Sequence, residues 1–458
     1  MTFSDRSDPL ARYVSDFPRR RVLVVGDAIL DEYLLGDCSR ISPEAPVPVL
    51  KVHSRRQALG GAANTAANIV SLGGQATLIA LAGNDETGLT LRRRADDAGI
   101  DLMAIDHGMA TLRKTRVIGQ QQQIVRLDYE EPVAPDARRE SEVLALFDSA
   151  IDRCDVVVVS DYAKGFLTPA LARALLQRAR DAGRRVIVDP RPQHRDFYVG
   201  CDYLTPNWKE SCALLHLPDV EPSPDETAVV AAKLASDLGA NIVLTLGSQG
   251  IRFCNRTGTE QFAVPTIARE VFDVSGAGDT VAAAFALALA AGADHAVAVA
   301  IANRAASVVV GKFGTATVTA REILDDQDVP RLVPRHDLAD LSATLHARGK
   351  RIVSVVGSFD LLHQGDVQLL NEARKAGDVL VVGVRGGAGR PSVSDDQRAE
   401  ILLALRVVDY VHIVEEPEGM TFLEALKPDV HIDGSGELAA DRSTRGTLRN
   451  SVANVRAE

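Results

Sequence analysis

Short, nearly uninterrupted apolar runs rich in β-branched residues recur at Val22–Val25, Ala76–Leu81, Val156–Val159, Val186–Val188 and Ile242–Leu246. A run with no polar face has nothing to offer water, so the strand it forms is buried on both sides, as in parallel sheets flanked by helices. Amphipathic segments such as Pro169–Ala182 lie between the runs and can supply the covering helices. The pattern predicts an α/β fold.

A polar stretch from Asp325 to Lys350, with Pro330 and Pro334 early and a charged amphipathic segment after them, interrupts the alternation. A new strand follows at Ile352–Val356, and then Gly357-Ser358-Phe359-Asp360. The rest repeats the pattern in miniature: helix Gln368–Lys375, strand Val379–Val384, helix Asp395–Leu405, strand Tyr410–Val414, helix Met420–Leu426 and strand Val430–Ile432. We expect a large domain over residues 1–328, a linker over 329–350 and a small doubly wound domain over 351–458, in keeping with a chain of 458 residues.

Composition narrows the partners. Lys plus Arg number 51 against 62 Asp plus Glu, a formal charge of −11, so no global positive field exists to hold a nucleic acid backbone. A phosphorylated ligand must be held locally, by backbone N–H groups, helix N-termini or a bound metal. The five cysteines, Cys38, Cys154, Cys201, Cys212 and Cys254, are odd in number and form no C-x-x-C pair, which fits reduced thiols. The first twenty residues lack an apolar leader core, and the longest apolar run, Val281–Ala293, is too short to span a bilayer. A cytoplasmic protein with no membrane partner is expected.

The stretch Glu270–Thr280, reading EVFDVSGAGDT, runs straight into an Ala-rich segment. Gly276, Ala277 and Gly278 let a ligand approach the backbone closely, and the helix that follows turns its positive end toward them. Asp279 is out of place in a plain phosphate cradle, because a carboxylate repels phosphate unless it has a proton to take from an attacking hydroxyl. That points to a general base beside an anion hole; a Gly-rich turn with an acidic helix cap is the alternative.

Residues 273–279 resemble the Asp-Thr/Val-Thr/Ser-Gly-Ala-Gly-Asp signature of the ribokinase-like (PfkB-type) carbohydrate kinases, a likeness that covers about the first 320 residues. The resemblance implies a three-layer α/β/α domain with a small β lid. It implies that Asp27, Asp31, Gly60, Gly61, Asn64 and Asn68 hold sugar hydroxyls. Ser39–Val49, Ser160–Gly165, Leu204–Asn207 and Val310–Thr315 further resemble the D-glycero-β-D-manno-heptose 7-phosphate kinases, the first half of bifunctional enzymes of ADP-heptose synthesis. That likeness implies ATP and Mg²⁺, with Asn207, Trp208, Lys209, Glu210, Thr245 and Gly247 at the nucleotide and Glu210 at the metal. Asn207 capping a helix with Glu210 as its partner is the structural alternative. A substrate that already carries a phosphate needs a cation for it; Arg113, Lys114, Arg116, Arg126 and Lys164 are candidates, and Lys164, in a Gly-containing turn after a buried strand, is favoured. The implied enzyme phosphorylates the anomeric 1-hydroxyl, and relatives of this kind pair as homodimers through the lid.

Gly357–Asp366 resembles the Gly-x-Phe-Asp-x-x-His-x-Gly-His signature of cytidylyltransferase-like adenylyltransferases, a Rossmann-like fold, with Arg390-Pro391 and Gln397-Arg398 extending the likeness. The expected nucleotide contacts are Phe359 and His363, but Asp366 stands at the second His, where a carboxylate adds repulsion toward a triphosphate. Residues 385–389 lack the family's Ser-Asp and Lys, Asp433 replaces a Lys, and only Ser443-Thr444-Arg445 answers to the terminal ATP-contacting helix. The expectation is a working kinase joined to an impaired transferase. A bifunctional enzyme, a kinase of another sugar phosphate and a non-catalytic sugar-phosphate sensor are the alternatives.

Overall fold

The computed structural model describes residues 10–119, 122–131, 134–218, 221–266, 274–312, 314–324, 332–347, 349–386, 393–405, 407–414 and 419–433. They fall into two compact units divided at Asp325.

In the first unit a nine-stranded sheet comprises β1 (Arg21–Gly26), β4 (Gln75–Leu81), β5 (Asp101–Ile105), β8 (Val156–Ser160), β9 (Arg185–Asp189), β10 (Tyr203–Leu204), β11 (Asn241–Thr245), β12 (Ile251–Cys254) and β13 (Gln261–Val264). Its order is β13-β12-β11-β10-β9-β8-β1-β4-β5, parallel except for the antiparallel β12 and β13. A separate four-stranded sheet, ordered β3-β2-β6-β7, is built from β2 (Ala28–Ile41), β3 (Pro48–Gly61), β6 (Arg113–Gly119) and β7 (Gln122–Tyr129). This is the expected lid.

The continuous apolar runs behave as the two-sided burial argument requires. In β1, Val22 and Val24 enter one core and Leu23 and Val25 the other; in β8, Val156 and Val158 part from Val157 and Val159 in the same way. From Val281 to Leu289, helix Ala277–Ala290 lies in the first core, where its alanines allow close packing on helices Ala62–Ser71 and His295–Val309. The second core is covered by helices including Ala137–Ile151, Pro169–Asp181 and Pro224–Leu238. Thr168, accepting from the Leu171 N–H, together with Pro169 starts the second of these.

The second unit holds a four-stranded parallel sheet, ordered β16-β15-β14-β17, of β14 (Ile352–Gly357), β15 (Val379–Arg385), β16 (Tyr410–Val414) and β17 (Val430–Asp433). Part of the stretch 329–350, expected as a linker, is helical and packed. Leu338, Leu341 and Leu345 of helix Leu338–Ala347 are buried in one core with Ile352, Val381 and Phe422, so this segment is a packed part of the second unit. The helix expected from Gln368 begins at Gln364, because His363 and Asp366 cap it reciprocally. No helix among the described residues is long and apolar enough to cross a membrane.

Candidate active site

The parallel strands of the first unit end on one side, where α/β sheets bind ligands. A cavity of about 830 Å³ opens there, lined by the turns after β8, β9, β10 and β11, by the start of helix Ala277–Ala290, and by lid residues. Gly276, Ala277, Gly278 and Asp279 all reach it. Gly276 takes φ +79°, and a Cβ there would lie 2.7 Å from Asn64 Nδ2, so two separate constraints demand glycine. The first N–H groups of a helix have no partner within it, and here that end faces the cavity.

Asp279 is buried, and its carboxylate is held by three side chains. Oδ2 accepts from Asn64 Nδ2 at 2.7 Å; Oδ1 accepts from Thr65 Oγ1 at 3.0 Å and from Tyr162 Oη at 2.9 Å. Thr280 donates to Asn68 Oδ1, and Asn68 Nδ2 to Asn64 Oδ1, so a chain of donors orients the Asn64 amide. Burial pushes the Asp279 carboxyl up to about 6, against the three donors, which favour its ionised form. A carboxylate so poised beside a helix N-terminus can take a proton from a hydroxyl at neutral pH.

Several residues expected at the sugar lie elsewhere than in the cavity lining. Asp27 is buried away from the cavity, with its oxygens taken by the backbone N–H groups of Tyr162, Lys164 and Phe166 at 2.9, 3.1 and 3.0 Å. It fixes the turn after β8. Asn64 and Asn68 serve Asp279, and neither lines the cavity. Gly60 is also outside the lining; a Cβ there would lie 2.3 Å from Asp31 Oδ2, so the glycine makes room for that carboxylate. Asp31 and Gly61 do line the cavity, and Asp31 pairs with Arg116 at 2.5 Å. Lys164, the favoured cation, is bound to Glu130 at 2.5 Å and does not line the cavity, whereas Lys114 and Arg116 on β6 do. Arg113 lies over the Tyr129 ring and Arg126 pairs with Asp128.

Asn207, Trp208, Lys209, Glu210, Thr245 and Gly247 gather at the other end of the cavity. The capping alternative also holds: Glu210 N donates to Asn207 Oδ1 at 2.8 Å and Asn207 N to Glu210 Oε2 at 2.9 Å. Glu210 Oε1 accepts from Arg191 at 2.6 Å. Among the described residues no cluster of three His, Cys, Asp or Glu side chains forms a metal cage. A divalent ion that travels with nucleotide phosphates needs few protein carboxylates, and Glu210 is one at this end of the cavity.

Three cavity groups, Tyr162, Asp189 and Arg191, and the buried Thr65 behind Asp279 escaped the reading of residue types. Asp189 ends β9, and Tyr162 and Arg191 follow β8 and β9 as Lys164 follows β8, so strand-end position was the available signal. Burial, reinforced by the carboxylates of Glu210 and Asp279, pushes Asp189 well above the usual carboxylate range. The Arg191 guanidinium lies 4.6 Å from the centre of the Tyr162 ring. Asp273, Phe313 and Arg390-Pro391 lie outside the described residues, as do residues 387–389, the side chain of Asp433 and Ser443-Thr444-Arg445.

Residues 19–321 match the pfkB family carbohydrate kinases, about two thirds of the chain. The chain belongs to that family. This kinase is 40% identical over 438 residues to "Bifunctional protein HldE" of Desulfatibacillum aliphaticivorans, covering 92% of this chain and 89% of that protein. It is 38% identical over 446 residues to the protein of the same name from Caulobacter vibrioides, covering 93% and 91%. Among solved structures it resembles a putative ribokinase from Agrobacterium tumefaciens, with TM-score 0.54 and 22% identity over 67% of this chain and 96% of that one. Phosphofructokinase-2 from Escherichia coli in complex with potassium gives TM-score 0.57 and 21% identity over 66% and 96%. These two establish the fold alone.

Residues 354–443 match the cytidylyltransferase-like family. Within this second unit His363 and Asp366 spend their side chains on each other's backbone: His363 N donates to Asp366 Oδ2 at 3.1 Å, and Asp366 N to His363 Nδ1 at 3.3 Å. Phe359 is buried with φ +46°. Arg398, buried, donates to the carbonyls of Ser358 and Arg385 and so ties together the chain beyond β14 and the end of β15.

Proposed function

We propose that the first unit transfers the γ-phosphoryl group of ATP to the anomeric 1-hydroxyl of D-glycero-β-D-manno-heptose 7-phosphate, giving the 1,7-bisphosphate, a step of ADP-heptose synthesis. The carrying observation is Asp279, a buried, poised carboxylate in the cavity wall at the N-terminus of the helix that follows Gly276 and Gly278. In this reading Asp279 takes the hydroxyl proton as the new O–P bond forms and the bond to the ADP oxygen breaks, while the helix end meets the charge on the transferring group. A non-catalytic sensor has no use for such a base. Tyr162, Thr205, Asn207, Val310 and Thr315, all from segments that resemble the heptose kinases, border the same cavity.

Lys114 and Arg116 replace Lys164 as the cations for the phosphate that the sugar already carries. Asn207 through Glu210, with Thr245 and Gly247, take the nucleotide, and Glu210 would hold Mg²⁺, which supplies positive charge to the nucleotide phosphates when bound. A homodimer paired through the lid is supported by the exposed Val52, Val125, Leu127 and Tyr129 there. All five cysteines are free, four of them buried, which agrees with a cytoplasmic location.

For the second unit we propose no adenylyl transfer, because Asp366 places a carboxylate where a triphosphate needs attraction. The family match over residues 354–443 and the bifunctional relatives favour the opposite reading, adenylylation of heptose 1-phosphate. Incubating the purified chain with ATP and an acceptor panel of heptose 7-phosphate, fructose 6-phosphate and ribose tests the kinase proposal. Phosphorylation of the heptose at position 1 is expected; transfer only to another acceptor would overturn it.

A further inference from the structure

We propose that Tyr162 is a positioning residue of the kinase reaction: its hydroxyl, with that of Thr65, occupies Oδ1 of Asp279 and leaves Oδ2 as the oxygen that receives the substrate's proton. The inference rests on the reading of Asp279 as the base.

An ionised carboxylate offers about four acceptor positions, two on each oxygen. In Asp279 both positions on Oδ1 are filled, by Thr65 Oγ1 at 3.0 Å and Tyr162 Oη at 2.9 Å. Asn64 fills one on Oδ2 at 2.7 Å, so the remaining position is on Oδ2. The backbone that carries Tyr162 is fixed. Its backbone N–H is held by the buried Asp27 carboxylate at 2.9 Å, and the next residue's N–H by the buried Asp161 at 2.7 Å. Its ring faces two cavity cations, Lys114 Nζ at 5.5 Å and the Arg191 guanidinium at 4.6 Å. One side chain therefore links the proton acceptor to a cation of the lid and to a cation at the end of β9.

The charges that act on Asp279 come from several elements: Asp31 paired with Arg116 from the lid, and Asp189 and Arg191 from the end of β9. Removing the phenol hydroxyl leaves all of these in place and takes away only a donor to the ionised carboxylate. Asp279 should then protonate more readily.

The experiment is the pH profile of kcat/KM for Tyr162→Phe in the full chain, with ATP and heptose 7-phosphate. The acid limb should move up by about one pH unit, so that the rate below the limb falls about tenfold while KM for ATP stays within a factor of two. A merely structural role would lower the profile without moving its limb. Incorporating 3-fluorotyrosine at position 162 keeps the shape and strengthens the donor, and should move the limb the other way. Profiles that superpose on wild type in both proteins would overturn the inference. Asp279→Asn, run alongside, separates the two failures: full turnover in that variant removes the base itself, whereas loss of turnover there with unmoved limbs removes only the role of Tyr162.

Discussion

Asn64 and Asp279, 215 positions apart in the chain, meet across 2.7 Å, amide nitrogen to carboxylate oxygen. The contact joins the start of helix Ala62–Ser71 to the start of helix Ala277–Ala290, so the proposed base is fixed from two independent elements. Asn64→Leu keeps the approximate volume and removes the donor. It is expected to lower kcat about tenfold or more with little change in KM for ATP, measured by steady-state kinetics.

The pH dependence follows from the same carboxylate. Its acid form must lose a proton before it can act, and burial sets that event at about 6. Plotted against pH, kcat/KM should be flat above neutrality and fall tenfold per unit below about 6. A profile flat down to pH 5 contradicts the assignment.

Lys114→Met is predicted to raise KM for the phosphorylated sugar more than it lowers kcat, because a contact to a spectator phosphate serves ground and transition states alike. Lys164→Met should change KM far less, since its ammonium is already spent on Glu130. A larger KM effect at Lys164 than at Lys114 would make Lys164 the cation for the sugar's phosphate.

Asp27→Leu removes one charged acceptor from three backbone N–H groups and leaves them buried. The expected loss is about 3 kcal/mol or more, read as a lower thermal midpoint of the first unit by calorimetry. Little change in the midpoint would return Asp27 to the ligand-binding class.

Incubation of wild type with heptose 1-phosphate and ATP should release no pyrophosphate, and Asp366→His alone should not restore the activity. That substitution also breaks the reciprocal cap of helix Gln364–Lys375, at a cost of about 1 kcal/mol. Pyrophosphate from wild type, abolished by His363→Ala, would establish the bifunctional reading.

Much of the fold was legible because the apolar runs leave a strand no exposed face; the split of Val156 and Val158 from Val157 and Val159 between two cores is the direct consequence. The Gly276–Asp279 segment was legible because few arrangements need two glycines and a carboxylate at a helix start. The roles of Asp27, Asn64 and Lys164 were not. A carboxylate that binds ligand and one that binds backbone N–H groups look alike in sequence, and only tertiary contacts reveal that Glu130 reaches Lys164 or that Tyr162 reaches Asp279. The segment of residues 338–347 looked like a linker because it follows the polar, Pro-containing stretch of residues 325–337, although its three core leucines are spaced to fall on one helical face.

The most direct test is transfer of radiolabelled γ-phosphate from ATP to heptose 7-phosphate by wild type and by Asp279→Asn, with nucleotide affinity measured in both. The account predicts a 1,7-bisphosphate from wild type and a rate lower by about 100-fold or more in the variant, with ATP binding within a few-fold of wild type. Near wild-type turnover by Asp279→Asn, or no labelled heptose from wild type, would contradict it.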